Sequence, residues 1–445
     1  MKKVFFVIFA MLTVAMMVLT ACAPAAVPTP EKVVETVVVE KEVEKTVVVE
    51  KPAEAGELNI WGFYDLTNTE DSRPVMLKQA IDSFQATTGI KVNYEQVAWD
   101  QMAKKVALAA QSGGDMPDLI MIAYEYVQGL VNAGALMDIK SQIESTFFYN
   151  DLNEFEKMLN EEKGKRYAVG TFVGGGNWYY DVEMLPNGLP AQANDWMAEC
   201  ERLKKDGKFL ATFFAGRHSA AVQQGLAPLV WSAGGQIFDE EGKPVFANEA
   251  TVEAINWWRT LLQNKCVPEV AFTGDWSATE APFVDQSAAA VRGGTWSYIY
   301  ITGLKERFES GKVKIGVPPG MKGNQGYVFM NTETWAVTSG AKNVDNAIAF
   351  INFFYNPAVL APWAKANYGI PATASALQNP IFESQFYADS RDNLTKHGHK
   401  SDVSPYYNET MDALAAVTQE LVLNPSLDIM GKLKQAQDEI LTKYW

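Results

Sequence analysis

The chain has 445 residues and a formal net charge of −15, a balance that argues against nucleic acid as a partner. Hydrophobic residues make up 48% and aromatic residues 12%, so the sequence describes a globular protein with large cores and not a disordered or fibrous one. With three histidines and three cysteines there is little material for a metal centre, and neither a metal nor a cofactor is expected.

The first element is apolar. Lys2 and Lys3 precede an uncharged run from Val4 to Leu19. As a helix that run spans roughly 24 Å, short of a ~30 Å hydrocarbon core. A positive start, a short apolar centre and small residues at the end describe a secretory signal over residues 1–21. Its close, Leu19-Thr20-Ala21-Cys22, resembles the lipobox of bacterial lipoproteins. That resemblance implies cleavage before Cys22 and acylation of its sulfur and new amine; the plainer alternative is an ordinary signal with an incidental cysteine. Residues 22–56 then read as a tether. "TVVVEKEVEK" and "TVVVEK" nearly repeat, Glu and Lys keep the stretch solvated, and β-branched Val keeps it extended. At ~3.3 Å per residue it reaches on the order of 100 Å. No second apolar run approaches membrane-spanning length, so attachment to a membrane is expected through lipid alone.

The folded part starts at "GELNIWGFYD", where Leu58, Ile60 and Trp61 predict a short buried strand ending at Gly62. "PVMLKQAIDSFQATTG" predicts a helix, with Leu77, Ile81 and Phe84 at helical spacing and Gly89 as its stop. Strand "IKVNYEQV", helix "WDQMAKKVALAAQSGG" and strand "DLIMIA" follow. The resulting β-α-β-α-β order predicts a parallel sheet with right-handed crossovers, whose ligands meet the loops at the carboxyl ends of the strands. Those loops carry Tyr64 and Asp65, Val97 to Trp99, and Tyr124 to Tyr126. "HGH" at His397–His399 has no nearby cysteine and reads as a solvated polar turn. Cys200 and Cys266 are compatible with a disulfide and equally with two free buried thiols.

"SGGDMPDLIMIAYEYVQGLVNAGALMDI" resembles the most recognisable stretch of the family 1 extracellular solute-binding proteins, the group that includes maltose-binding protein. "GKRYAVGTFVGGGNWYYDVEML" is similar to that family's first crossing between lobes. "LVWSAGGQIFDEEGK", "WSATEAPFVDQSAAAVRGGTWS", "VKIGVPPG", "NVDNAIAFINFFYNP" and "NYGIPATASAL" continue the order to the C-terminus. The resemblance covers about 57–445 and rests on the ordered set, not on any one motif. It implies a two-lobed α/β clamp of the periplasmic-binding-protein type, each lobe a mostly parallel sheet flanked by helices. Lobe 1 would comprise 57–172 and 316–365, and lobe 2 would comprise 173–315 and 366–445, with two or more crossings between them. It also places Cys200 and Cys266 together in lobe 2, where bridging is conceivable.

The implied function is capture of a carbohydrate between the lobes and delivery to the permease subunits of an ABC importer, by a monomeric, lipid-anchored protein with no catalysis. Sugars present apolar ring faces edged by hydroxyls, which aromatic side chains and carboxylates recognise together. Carried over position by position, Trp296 in "RGGTWSY" matches a sugar-stacking tryptophan, against the alternative of a core tryptophan behind a strand. Asp65 and Glu125 match acceptor positions, against a turn-capping Asp and a solvated Glu. Tyr64, Trp99, Tyr124, Trp178, Trp231, Trp276 and Tyr407 complete the expected cleft set. Gly174–Gly176 departs from the family, where a carboxylate can follow the crossing, and suggests a flexible hinge or a close ligand approach. An exported carbohydrate-active enzyme, with Asp65 and Glu125 as acid and base, and a ligand-presenting component of a membrane sensor are the competing readings.

Overall fold

A computed structural model describes residues 56–161 and 164–445; the expected signal, Cys22 and the tether to residue 55 lie outside the described residues. The chain alternates strand and helix through β1 (Glu57–Gly62), α1 (Ser72–Thr88), β2 (Lys91–Gln96), α2 (Trp99–Ser112) and β3 (Leu119–Ala123), then enters α3 (Tyr124–Asn132). Helix α1 starts where the Asp71 side chain accepts from Arg73 N, and stops at Gly89. Gly89 takes the left-handed conformation (φ 74°), which a side chain would oppose. The helical spacing of Leu77, Ile81 and Phe84 becomes the buried face of α1. Strand β1 pairs in parallel with both β2 and β3.

After β4 (Val169–Gly170) the chain leaves this sheet. Next come β5 (Phe172–Asp181), β6 (Phe209–Thr212), α4 (Glu249–Gln263), α5 (Trp276–Val284), β7 (Ala288–Gly294), β8 (Val313–Gly316) and β9 (Val328–Asn331). Strand β10 (Glu333–Val337) then returns to the first sheet between β3 and β4, antiparallel to both, giving the order β2-β1-β3-β10-β4. The chain continues through α6 (Val344–Phe354), α7 (Pro357–Ala366), β11 (Ile370–Pro371), α8 (Gln385–His397), β12 (Gly398–Lys400) and α9 (Tyr407–Leu423). The second sheet has the order β12-β9-β5-β7-β6, with β8 and β11 also paired to β5.

Two large cores share the fold, the first running on into Tyr179 and Val291 of the second sheet. The first gathers Leu58, Ile60, Phe84, Trp335, Phe350 and Phe354. The other gathers Trp178, Trp196, Phe213, Trp258 and Phe272 around Cys200 and Cys266, which are joined as a disulfide with Cα atoms 5.2 Å apart.

Four expectations change. Both sheets are mixed, not mostly parallel, because β5 and β10 are crossing strands that run against their neighbours. The return to the first sheet comes at Thr332 and not at 316, since β8 and β9 both pair with β5 before the chain leaves. Gly174–Gly176 is neither an open hinge nor a ligand approach. All three residues are buried within β5, and a Cβ on Gly175 would overlap the Leu394 side chain and come within 2.7 Å of the Phe329 carbonyl. Glycine is required there because α8 packs directly on the strand. Finally, "HGH" is the end of α8 running into β12, with His399 stacked on Trp231, and not a solvated turn.

Candidate ligand-binding cleft

The crossings form the floor of a cavity. Phe172 follows the first crossing, Asn331 and Glu333 flank the second at Thr332, and Asn367 closes α7 before the third; all four line one space of about 530 Å³. Thr171 N and Oγ1 both donate to the Glu333 carbonyl (2.9 and 3.0 Å), and Trp363 Nε1 donates to Thr171 Oγ1 (3.0 Å), so the crossing strands brace one another.

The first sheet supplies one wall. Phe63 and Tyr64 come from the β1 loop, Arg73 from α1, Trp99 from the start of α2, and Glu125 and Tyr126 from the start of α3. These are the carboxyl ends of parallel strands, where such sheets receive ligands. Trp99 meets Phe63 edge-on at 4.5 Å and Tyr126 at 6.3 Å, and Tyr126 in turn meets Tyr407 at 6.3 Å. An aromatic line thereby runs from one side of the cavity to the other.

The second sheet supplies the opposite wall: His218 to Ala220, Gln223, Gln224, Trp276, Trp296 and Tyr407. Gln223 and Gln224 sit in Val222–Leu226, a π-helical turn within a longer helical run; turns of this kind frequently mark functional positions. Trp276 begins α5, which Asp275 caps by accepting from Ala278 N, and stacks on Phe214 with ring centres 4.2 Å apart. Trp296 folds back over Gly294, where a Cβ would land on the indole ring. Gly294 of "RGGTWS" therefore makes room for the tryptophan, while a Cβ on Gly293 would meet Ser297.

Polar atoms inside this space are incompletely matched. Glu125 Oε2, Gln223 Nε2 and the Tyr407 hydroxyl are buried without a hydrogen-bond partner, although Gln223 lies near enough to Glu125 to favour its charged form. Burial dominates and pushes the Glu125 carboxyl up from its ordinary range. Burial also drives the Tyr64 and Tyr407 hydroxyls well up, so both remain donors. Buried polar groups are normally satisfied, and three facing one cavity from both walls mark it as a place for a polar ligand.

Of the ten residues expected from sequence, Tyr64, Trp99, Glu125, Trp276, Trp296 and Tyr407 line this cavity. Four lie elsewhere. Asp65 is exposed, and its Oδ1 accepts from Thr67 N (2.9 Å) and Thr67 Oγ1 (2.7 Å), a turn cap outside the cavity. Tyr124 faces a separate cavity of about 270 Å³. Trp178 belongs to the second core, edge-on to Trp196 at 5.1 Å. Trp231 stacks on His399, donates Nε1 to Asp402 Oδ2 (3.2 Å), and borders a further cavity of about 710 Å³ with Tyr327 and Asp239. Sequence reasoning missed Arg73, His218, Gln223, Gln224, Asn331, Glu333 and Asn367. Only the last three carried a signal, since each lies beside a crossing.

Residues 79–389 match the model of the bacterial extracellular solute-binding protein family. The chain belongs to that family. Two maltooligosaccharide ABC transporter solute-binding lipoproteins, from two strains of Streptococcus pneumoniae, are 21% identical over 319 residues, covering 68% of this chain and 70% of theirs. The maltodextrin-binding protein MdxE of Bacillus subtilis is 21% identical over 278 residues, 59% of this chain and 62% of its own. The GacH receptor of Streptomyces glaucescens, solved unliganded and with acarbose, shares the fold with a TM-score of 0.71 at 16% identity, over 88% of this chain and all of that one. The two-lobed clamp is thus the fold of this solute-binding protein, and its relatives are binding proteins, not enzymes.

Proposed function

We propose that this solute-binding protein captures a neutral oligosaccharide of the maltooligosaccharide type between its lobes and hands it to the permease of an ABC importer. The observation that carries this reading is the inter-lobe cavity, where aromatic faces from both walls surround the unpartnered Glu125 Oε2, Gln223 Nε2 and Tyr407 hydroxyl. A volume of about 530 Å³ suits a small-molecule site, and the aromatic line gives sugar ring faces a surface to stack on. The names of the relatives favour α-glucan oligosaccharides over other neutral sugars. The word lipoprotein in the names of the two pneumococcal relatives supports the same reading of Leu19-Thr20-Ala21-Cys22, and the charged repeat supports residues 22–56 as a tether that would keep a monomer near its permease.

Thermal-shift measurements across glucose, maltose, maltotriose and unrelated oligosaccharides test the ligand. Binding should stabilise the fold by RT ln(1 + [L]/Kd), about 2.7 kcal/mol at 100 Kd. No shift with any maltooligosaccharide, beside a clear shift with an unrelated ligand, refutes the assignment. Intact-mass analysis of the membrane-extracted protein tests acylation at Cys22.

A further inference from the structure

Glu333 stands at the head of β10, where the chain has just crossed from the second sheet, and its side chain forms part of the cavity wall. The hydroxyl of Tyr64 lies 2.9 Å from Glu333 Oε1, 3.2 Å from Oε2 and 3.1 Å from Asn367 Oδ1. Asn367 cannot serve as the donor in this group, because its Nδ2 already donates to the Trp363 carbonyl (3.0 Å), which turns Oδ1 toward the tyrosine. A tyrosine has one proton to give. With Glu333 ionised, that proton satisfies either the carboxylate or Asn367, and the other contact sets two lone pairs against each other. With Glu333 protonated, the acid donates to the Tyr64 oxygen, Tyr64 donates to Asn367 Oδ1, and both neighbours of the tyrosine are satisfied.

We infer that Glu333 is a neutral carboxylic acid in the closed cleft and that ligand capture takes up a proton at this residue. The inference rests on the oligosaccharide reading above and adds a ligand-positioning residue whose state follows external pH.

The surroundings agree. Arg73 from α1 commits its guanidinium to Asp71, with Nε 3.0 Å from both carboxylate oxygens, and lies over the Tyr64 ring at 5.2 Å. It favours the charged form of Glu333 only from a distance, whereas Glu125 from α3 and Asp71 oppose that form. Tyr64 from the β1 loop, whose hydroxyl favours the charged form by hydrogen bonding, and Tyr94 from β2 also face this group. Enclosure dominates the sum and pushes the Glu333 carboxyl up to about 7. The residue is still partly accessible from the cavity, so a bound sugar would seal it further. Parting of the lobes would return it to water and toward an ordinary carboxylate.

A pKa higher in the closed state than in the open one means that affinity is greatest at low pH and falls as pH rises through the closed value. Calorimetric titration with maltotriose should show affinity falling at least about tenfold between about pH 5 and about pH 7, with an enthalpy that depends on the buffer as proton uptake requires. In Glu333→Gln the amide donates to Tyr64 as the protonated acid does. This variant should bind more tightly than the wild type at about pH 8 and show a flatter profile. Parallel pH profiles for the two proteins overturn the inference. If maltotriose binds at no pH, the ligand reading fails separately, and the same paired pH profiles taken with the saccharide that gives the largest thermal shift decide on Glu333, parallel profiles again refuting the neutral acid.

Discussion

Replacing Trp296 with alanine strips an aromatic wall from the cleft and leaves the second core, built on Trp178, Trp196 and Trp258, in place. Affinity for a maltooligosaccharide should fall by 2 kcal/mol or more, roughly 30-fold, because buried aromatic anchors dominate such sites. Apo stability should change far less. Calorimetry beside a melting curve checks both, and a large fall in Tm with affinity intact would make Trp296 a core residue. Trp296 and Glu125 were legible from family pattern, and Tyr64 and Trp99 from their place after parallel strands. Asp65 misled for a local reason visible in the sequence: Thr67, two residues on, supplies both donors that its carboxylate accepts. Glu333 was marked only by its place beside a crossing, and its pairing was illegible for the opposite reason. Its partner Tyr64 lies 269 positions away, and no local pattern reports a contact of that range.

At the scale of elements, the cleft depends on short irregular pieces placed at the ends of regular ones. The π-helical turn Val222–Leu226 turns Gln223 and Gln224 toward the ligand space, and periodicity alone would have read it as ordinary helix. The end of β7 shows how closely sequence and site are matched. Gly294 sits beneath the Trp296 indole, so Gly294→Ala should push the ring off its position without altering the ring's chemistry. We expect binding to weaken by about 1–2 kcal/mol, less than on deleting the indole, with a shift in tryptophan fluorescence of the apo protein. An unchanged affinity and spectrum would show that the indole has room to move. The three glycines of β5 looked like a hinge because glycine permits motion; here Gly175 is needed for close packing, and only the position of α8 distinguishes the two.

Across the whole molecule, strand order in the first half was readable because alternating strands and helices leave few topologies open. The later crossing was not, because β8 and β9 both pair with the long β5 before the chain turns back at Thr332, and pairing with a distant strand leaves no mark on composition. What fixes the first lobe is partly a single carboxylate. Asp118, in the "DMPDL" approach to β3, accepts from the backbone N–H groups of Asn59 (2.9 Å), Lys342 (2.8 Å) and Asn343 (2.8 Å). It thereby ties the start of β3 to β1 and to the approach to α6. Burial alone would raise its pKa, but those N–H donors outweigh burial and hold the carboxyl below its ordinary range. A depressed pKa contributes stability that is fully present above the unfolded value of about 3.9 and is lost as pH falls through the folded value. Asp118→Asn should therefore cost about 1–3 kcal/mol at neutral pH, since an amide replaces one charged acceptor with a donor that faces other donors. The deficit should shrink below about pH 4, where the wild-type carboxylate begins to protonate as well. Denaturant titrations of both proteins at about pH 7 and about pH 3 decide it: a deficit that stays constant would mean that Asp118 holds the lobe by shape and not by charge.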